Sequence, residues 1–180
     1  MNKLITLVFV LLIFNCKTPE ARRPVSVKTG SFIDASVERN RKLNAKEQTS
    51  IEKLLQEGQK DYIASESGFW YYYNNKIEVD TLYTPNFGDI VNYDYNVKNL
   101  NGTVIYSKED LKTQNYVIDK QELFTGLREG LKLMKTGETV TFLFPSQKAY
   151  GYYGDENKIT RNTPLICEVT INSITPNQTN

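Results

Sequence analysis

Histidine is missing altogether from this 180-residue chain, so the commonest general base and the commonest metal ligand are both unavailable to it. Its two cysteines, Cys16 and Cys167, are too few for a zinc site or a disulfide framework. A charge excess is lacking too. Formal net charge is +1, which leaves no basic footprint for nucleic acid. Tyrosine is absent from the first third: all 12 lie at or after Tyr62, which places the core in the remainder of the chain. The charges that exist are unevenly spread. Residues 17–60 carry 10 Lys and Arg against 6 Asp and Glu, while residues 61–180 carry 11 against 15.

What is present begins with an address. "MNKLITLVFVLLIFNC" joins Lys3 to a nearly unbroken apolar run from Leu4 to Phe14, followed by Asn15 and Cys16. A bilayer needs about 20 apolar residues, so this run fits the apolar region of a secretory signal instead. A cysteine directly after it resembles a bacterial lipobox, in which that cysteine is lipidated and becomes the first mature residue. The expectation is a signal peptide over 1–15 and a lipid-anchored Cys16 in the cell envelope, facing the periplasm. An ordinary signal peptide or an uncleaved anchor is the other reading of the same run. With Cys16 lipidated, Cys167 has no partner and is expected to be a buried apolar thiol.

Residues 16–43 are polar and lack sustained periodicity, which reads as a flexible tether. Residues 44–66 read as a helix. Asn44 and Glu47 form a capping-box-like start, and Ile51, Leu54, Leu55 and Tyr62 make a narrow stripe. Gly58 falls within that span, where it weakens a helix by about 1 kcal/mol. The stripe is expected to lie on the domain surface or to pair with a second copy.

From residue 67 to 176 the period changes to two, marking a separate domain. "FWYYY" (69–73) and "DIVNYDYNV" (89–97) are strand-like, the latter setting Val91, Tyr93, Tyr95 and Val97 on one face. Asn101-Gly102 signals a hairpin with a return strand over 103–106. Residues 116–118, 139–145 and 164–174 supply further strands. Their inward residues are Val140, Phe142 and Phe144, then Leu165, Cys167, Val169 and Ile171. Between them "FTGLREGLKLMKTGE" (124–138) reads as one short helix, opened by Gly126 and stopped by Lys135 and Gly137. So short a helix is unstable alone. An antiparallel half-barrel sheet wrapped around it is the economical way to bury both, an α+β fold.

Five segments in order resemble the FKBP-type peptidyl-prolyl isomerases: "SGFWYY", "GDIVNYDYNVKNLNG", "QELFTGLREGLKLMKTGE", "FPSQKAYGYYG" and "ITRNTPLICEVTINSI". With the lipobox-like start, the whole is most similar to the gliding-motility-associated lipoprotein isomerases of the Bacteroidetes. The resemblance implies a catalyst of proline isomerisation that needs no cofactor, no metal and no nucleophile. Its partners would be proline-containing segments of envelope proteins, and the membrane through Cys16; nucleic acid is not among them. It implies a shallow aromatic cup with Tyr95, Phe124, Leu127 and Tyr150 as the catalytic set. Tyr95 forms a wall, Leu123 and Phe124 the rim, and Leu127 the floor, as first residue of the central helix. Tyr150 donates its hydroxyl to a peptide carbonyl, and Ile159 closes the outer side. Ile105, Tyr106 and Cys167 complete the binding set and depart from the family pattern. Ile105-Tyr106 stands where a Phe-Asp pair is usual, Cys167 where phenylalanine is, and Thr160 follows Ile159 where proline would.

Two other functions fit parts of the sequence. An FKBP-shaped chaperone or accessory module would use the cup to hold apolar segments without turnover. Carbohydrate stacking is suggested only by Tyr71–Tyr73, but three consecutive strand residues cannot share one face. Glu122 could equally orient the rim or face water.

Overall fold

The computed structural model describes residues 30–79 and 83–177. The expected signal peptide, Cys16 and the first part of the expected tether lie outside them. Helix α1 (Gly30–Glu57) contains the point, after Glu38, at which the chain divides into two units. The second unit holds everything that follows.

Helix α1 begins inside the segment expected to be a tether and stops well before residue 66. Its sequence after Gly30 is dominated by Ala, Leu, Glu, Lys, Arg and Gln and contains no proline, so helical propensity is high even before Ile51, where the narrow apolar stripe begins. Periodicity reports the later part of such a helix but not where it begins. Asn44 and Glu47 therefore sit in its interior instead of capping it, and Gly58 follows its last residue. Glu47 spans to the β-domain: its two carboxylate oxygens accept from the Ser146 N–H and hydroxyl, each at 2.6 Å. Ile51, one turn on, is 1% exposed.

Seven antiparallel strands form one sheet: β1 (Ile63–Ala64), β2 (Trp70–Asn75), β3 (Ile90–Lys98), β4 (Val104–Tyr106), β5 (Gln114–Val117), β6 (Thr139–Phe144) and β7 (Leu165–Thr175). Their spatial order is β1-β2-β6-β7-β3-β4, with β5 sharing the free edge of β3. β5 pairs with Ile90–Tyr93 and β4 with Val97 and Lys98. Between them the chain leaves the sheet as helix α2 (Lys108–Leu111), started by a capping box of Ser107 and Asp110.

Helix α3 (Thr125–Leu131) is the central one. Leu127 is its third residue, not its first. Gly126 and Gly130, four apart and both buried, give it one bare face. A Cβ on Gly126 would stand 2.5 Å from Phe144 Cδ1, and one on Gly130 would stand 2.9 Å from Phe142 Cε1. Those two rings alternate inward on β6 and stack 5.4 Å apart. The helix thus rests its backbone on two phenylalanines, while Leu127, Leu131 and the following Met134 are fully buried. That close approach, together with strand alternation, sets the core. Val91, Tyr93, Tyr95, Val97, Val140, Leu165, Cys167, Val169 and Ile171 all point into it.

Candidate functional site

At one end of the half-barrel, four pieces of chain converge. Alternation along β3 turns Tyr93 and Tyr95 inward with ring centroids 5.4 Å apart, and Tyr95 keeps 7% of its surface exposed. Phe124, directly before α3, is extended (φ −62°, ψ 141°). Its ring packs edge-on to Phe144 at 5.4 Å and tilts against Tyr150 at 5.1 Å.

Tyr150 follows a single 3-10 turn, Ser146–Lys148. That turn is tied on both sides: Ser146 is the residue gripped by Glu47, and its carbonyl accepts from the Gly151 N–H at 2.9 Å. Leu123, Phe124 and Tyr150, with Gln121, Glu122 and Arg128, line a shallow open depression. Glu122 is exposed on its lip.

Leu127 and Cys167 have no exposed surface and belong to the core cluster against which Phe124 and Tyr150 pack. Burial pushes the Cys167 thiol far above its ordinary range, so it is an inert apolar group. Ile159, 3% exposed, reaches into the core cluster from the loop between Gly151 and Asn162. Ile105 and Tyr106 on β4 pack against the same cluster. The nine residues expected to bind substrate are therefore all in the core or packed against it.

Tyr106 is engaged with the loop. Its hydroxyl donates to Asp155 Oδ2 at 2.5 Å and accepts from the Lys158 N–H at 3.3 Å. The Lys158 ammonium lies 4.8 Å from the centre of the Tyr106 ring and 3.8 Å from Asp110 Oδ2. Asp155 Oδ1 meanwhile accepts from the N–H groups of Asn157 (2.9 Å) and Ile159 (2.7 Å). Sequence reasoning passed over Asp155. The signal was there in "GDEN": an aspartate after glycine readily accepts the N–H two residues on, an Asx turn.

The electrostatics follow from burial. The Tyr95 phenol is pushed up, first by desolvation and then by Tyr150, Cys167 and Tyr106, its neighbours around the cup. Tyr150 is pushed up to about 12, again by desolvation first, with smaller effects from Cys167, Asp155 and Tyr106. At neutral pH both phenols keep their protons and remain hydrogen-bond donors. Burial alone would raise Asp155, but hydrogen bonds from Tyr106 and from the Asn157 and Ile159 N–H groups hold it below the usual carboxylate range. The structure thus places neutral phenol donors in and beside an aromatic cluster, with Phe124 and Tyr150 lining a shallow open depression. Such a site can bind an apolar ring and hold a carbonyl, but it presents no nucleophile.

Comparison with known proteins agrees on one family. The family described as FKBP-type peptidyl-prolyl cis-trans isomerase matches residues 83–172, half of the chain. The peptidyl-prolyl cis-trans isomerase FKBP9 of Homo sapiens is 31% identical over 85 residues, as is that of Mus musculus. The match covers 47% of this chain and only 15% of either relative. Among solved structures, a peptidyl-prolyl cis-trans isomerase from Pseudomonas syringae pv. tomato superposes with a TM-score of 0.62 at 20% identity, covering 76% of this chain and 96% of that one. FkpA from Escherichia coli gives 0.60 at 22% identity, over 98% of this chain and 83% of its own. At these identities the two structures speak for the fold.

Proposed function

Because the chain belongs to the FKBP-type peptidyl-prolyl cis-trans isomerase family, we propose that its aromatic cup catalyses rotation about X-Pro bonds. The observation that carries this reading is the Phe124–Tyr150 ring pair, packed against the core cluster that contains Tyr95, Ile159 and buried Leu127. The barrier to be lowered is amide resonance, about 18–20 kcal/mol. Twisting the amide removes that resonance and reduces its dipole, so a dry apolar site favours the twisted form over the planar one relative to water. Catalysis is then differential binding of the twisted state. The proline ring enters between Tyr95, Phe124 and Ile159, and the Tyr150 hydroxyl, kept protonated by burial, donates to a peptide carbonyl. No proton moves, so the lack of histidine costs the mechanism nothing.

We further propose that the protein is anchored by lipid on Cys16 in the bacterial envelope and acts on proline-containing segments of envelope proteins. The apolar run ending at Cys16 supports this, and so does the resemblance to the gliding-motility-associated lipoproteins. Replacing Cys16 with Ala should release the protein from the membrane fraction or leave an unprocessed precursor. Normal maturation with retained membrane binding would overturn the anchor.

The isomerase reading is tested by protease-coupled turnover of a Leu-Pro tetrapeptide. Isomerisation above the uncatalysed rate is expected. No turnover, combined with suppression of an unfolded client's aggregation, would replace the enzyme with a chaperone.

A further inference from the structure

The loop between Gly151 and Asn162 carries the outer wall of the cup, yet it has little regular structure to hold it. Its base is closed by one bond, from the Asn162 N–H to the Gly151 carbonyl at 2.7 Å. Inside, the chain doubles back so tightly at Gly154 (φ +74°) that a Cβ there would stand 2.2 Å from the Ile159 carbonyl oxygen. Asp155 sits at the centre of this fold. Its N–H donates to the Ile159 carbonyl at 3.1 Å, and its Oδ1 takes the N–H groups of Asn157 and Ile159. Its Oδ2 takes the Tyr106 hydroxyl from across the cup.

We propose that Asp155 is the positioning residue of this site, holding Ile159 and the Tyr106 ring at one geometry so that the cup's outer wall is preformed. The proposal rests on the isomerase reading for what the cup receives. Asp155 itself touches no substrate, because its Oδ1 is filled by two backbone donors and its Oδ2 by a phenol. Its effect reaches the peptide through Ile159, whose side chain is a wall, and through Tyr106, whose ring packs against the core. Position 106 thereby joins strand β4 to the loop, which an aspartate there could not do opposite another carboxylate. Preforming a wall removes the ordering cost that a mobile loop would meet on binding. A generic loop staple would be indifferent to what binds; a positioning residue changes affinity beyond any change in stability.

The test uses the full chain with Asp155→Ala, Asp155→Asn, Tyr106→Phe and the Asp155→Ala/Tyr106→Phe pair. Four quantities are read: Kd for a Leu-Pro tetrapeptide, KM and kcat for the same peptide, tryptic cleavage after Lys158 and Arg161, and Tm. Asp155→Ala is expected to weaken binding about fivefold to tenfold, the size of one or two net hydrogen bonds. KM should rise in parallel, kcat should change less, and cleavage in the loop should quicken. Asp155→Asn keeps a carbonyl acceptor for the two backbone donors and should restore Kd to within about twofold of wild type. Tyr106→Phe should add little on top of Asp155→Ala, because both remove the same contact.

An unchanged Kd in Asp155→Ala would overturn the positioning role, as would a loss that follows Tm and is not recovered by asparagine. A wild type that binds the peptide without turning it over removes the isomerase reading, while the Kd series still decides the role of Asp155. A wild type that does not bind the peptide removes both.

Discussion

Single residues at this site divide into those legible from their strand position and those whose role depends on a neighbour far along the chain. Tyr95 and Cys167 belong to the first kind, since two-residue alternation was enough to turn them inward. Gly126 belongs to the second. Its sequence context suggests a turn glycine, yet it lies within α3, and what requires it is the Phe144 ring and the Lys148 carbonyl, 2.5 and 2.7 Å from where a Cβ would be. Gly126→Ala should therefore cost about 1–3 kcal/mol, the range for forcing an extra methyl into a packed core. A denaturant midpoint equal to that of an exposed control, Lys112→Ala, would contradict that packing. Tyr150→Phe keeps the ring against Phe124 and removes only the donor. Peptide binding should weaken by about 0.5–1.5 kcal/mol with stability nearly unchanged, checked by titration and thermal melting. Tyr106→Asp copies the usual family residue, but it would face Asp155 with a like charge instead of a donor. Turnover of the Leu-Pro peptide should fall, not rise, because the loop loses its tie to β4.

At the scale of elements, the strands and the presence of an N-terminal helix are legible in the sequence and the bounds of α1 are not, for a physical reason. A strand with one buried face must alternate, and β3 does so without a break from Val91 to Val97. A helix rich in strong helix formers can form while burying very little, and then no pattern marks its ends. Of α1, Ile51 is buried and Leu54 and Leu55 are half-buried, while Ile33 and Val37 remain 61% and 59% exposed. Its grip on the β-domain is instead polar, through Glu47. Ser146 is 2% exposed, so removing its partner leaves an N–H and a hydroxyl without their acceptor in a buried place. Glu47→Ala should cost about 1–3 kcal/mol, and tryptic cleavage after Lys46 and Lys53 should come earlier. The exposed Gln56→Ala on the same helix is the control, and equal cleavage rates in the two variants would show that Glu47 does not hold the helix. Because Ser146 also receives the Gly151 N–H, the same variant reports whether α1 influences the turn that presents Tyr150.

For the whole molecule, the missing histidine and the buried phenols together set how stability depends on pH. With no histidine, no side chain has an ordinary pKa between those of the carboxylates and the thiol. Stability should therefore be nearly level from about pH 6 to 8, unlike that of a protein with buried imidazoles. At higher pH the sign is fixed by direction. Tyr93, Tyr95 and Tyr150 are all raised above their ordinary value of 10.0, chiefly by desolvation, and Cys167 is raised above 9.0 by burial. A group whose folded pKa lies above its unfolded one holds its proton more tightly when folded. Its contribution is complete below the unfolded value and is lost as pH rises toward the folded one. Denaturant midpoints should thus begin to fall near pH 9, where the unfolded thiol ionises, and fall more steeply above 10 as unfolded tyrosines follow. Cys167→Ser is not a clean control, because it buries a hydroxyl with no assured partner. Cys167→Ala removes the thiol's titration alone, and it should delay the onset toward pH 10 even though the smaller side chain lowers stability at every pH. Phenolate absorbance followed through the same titration supplies the second check. Tyr93, Tyr95 and Tyr150 should ionise only together with unfolding. A midpoint that stays level to pH 11, or full phenolate absorbance before unfolding, would mean that these rings are not enclosed around α3.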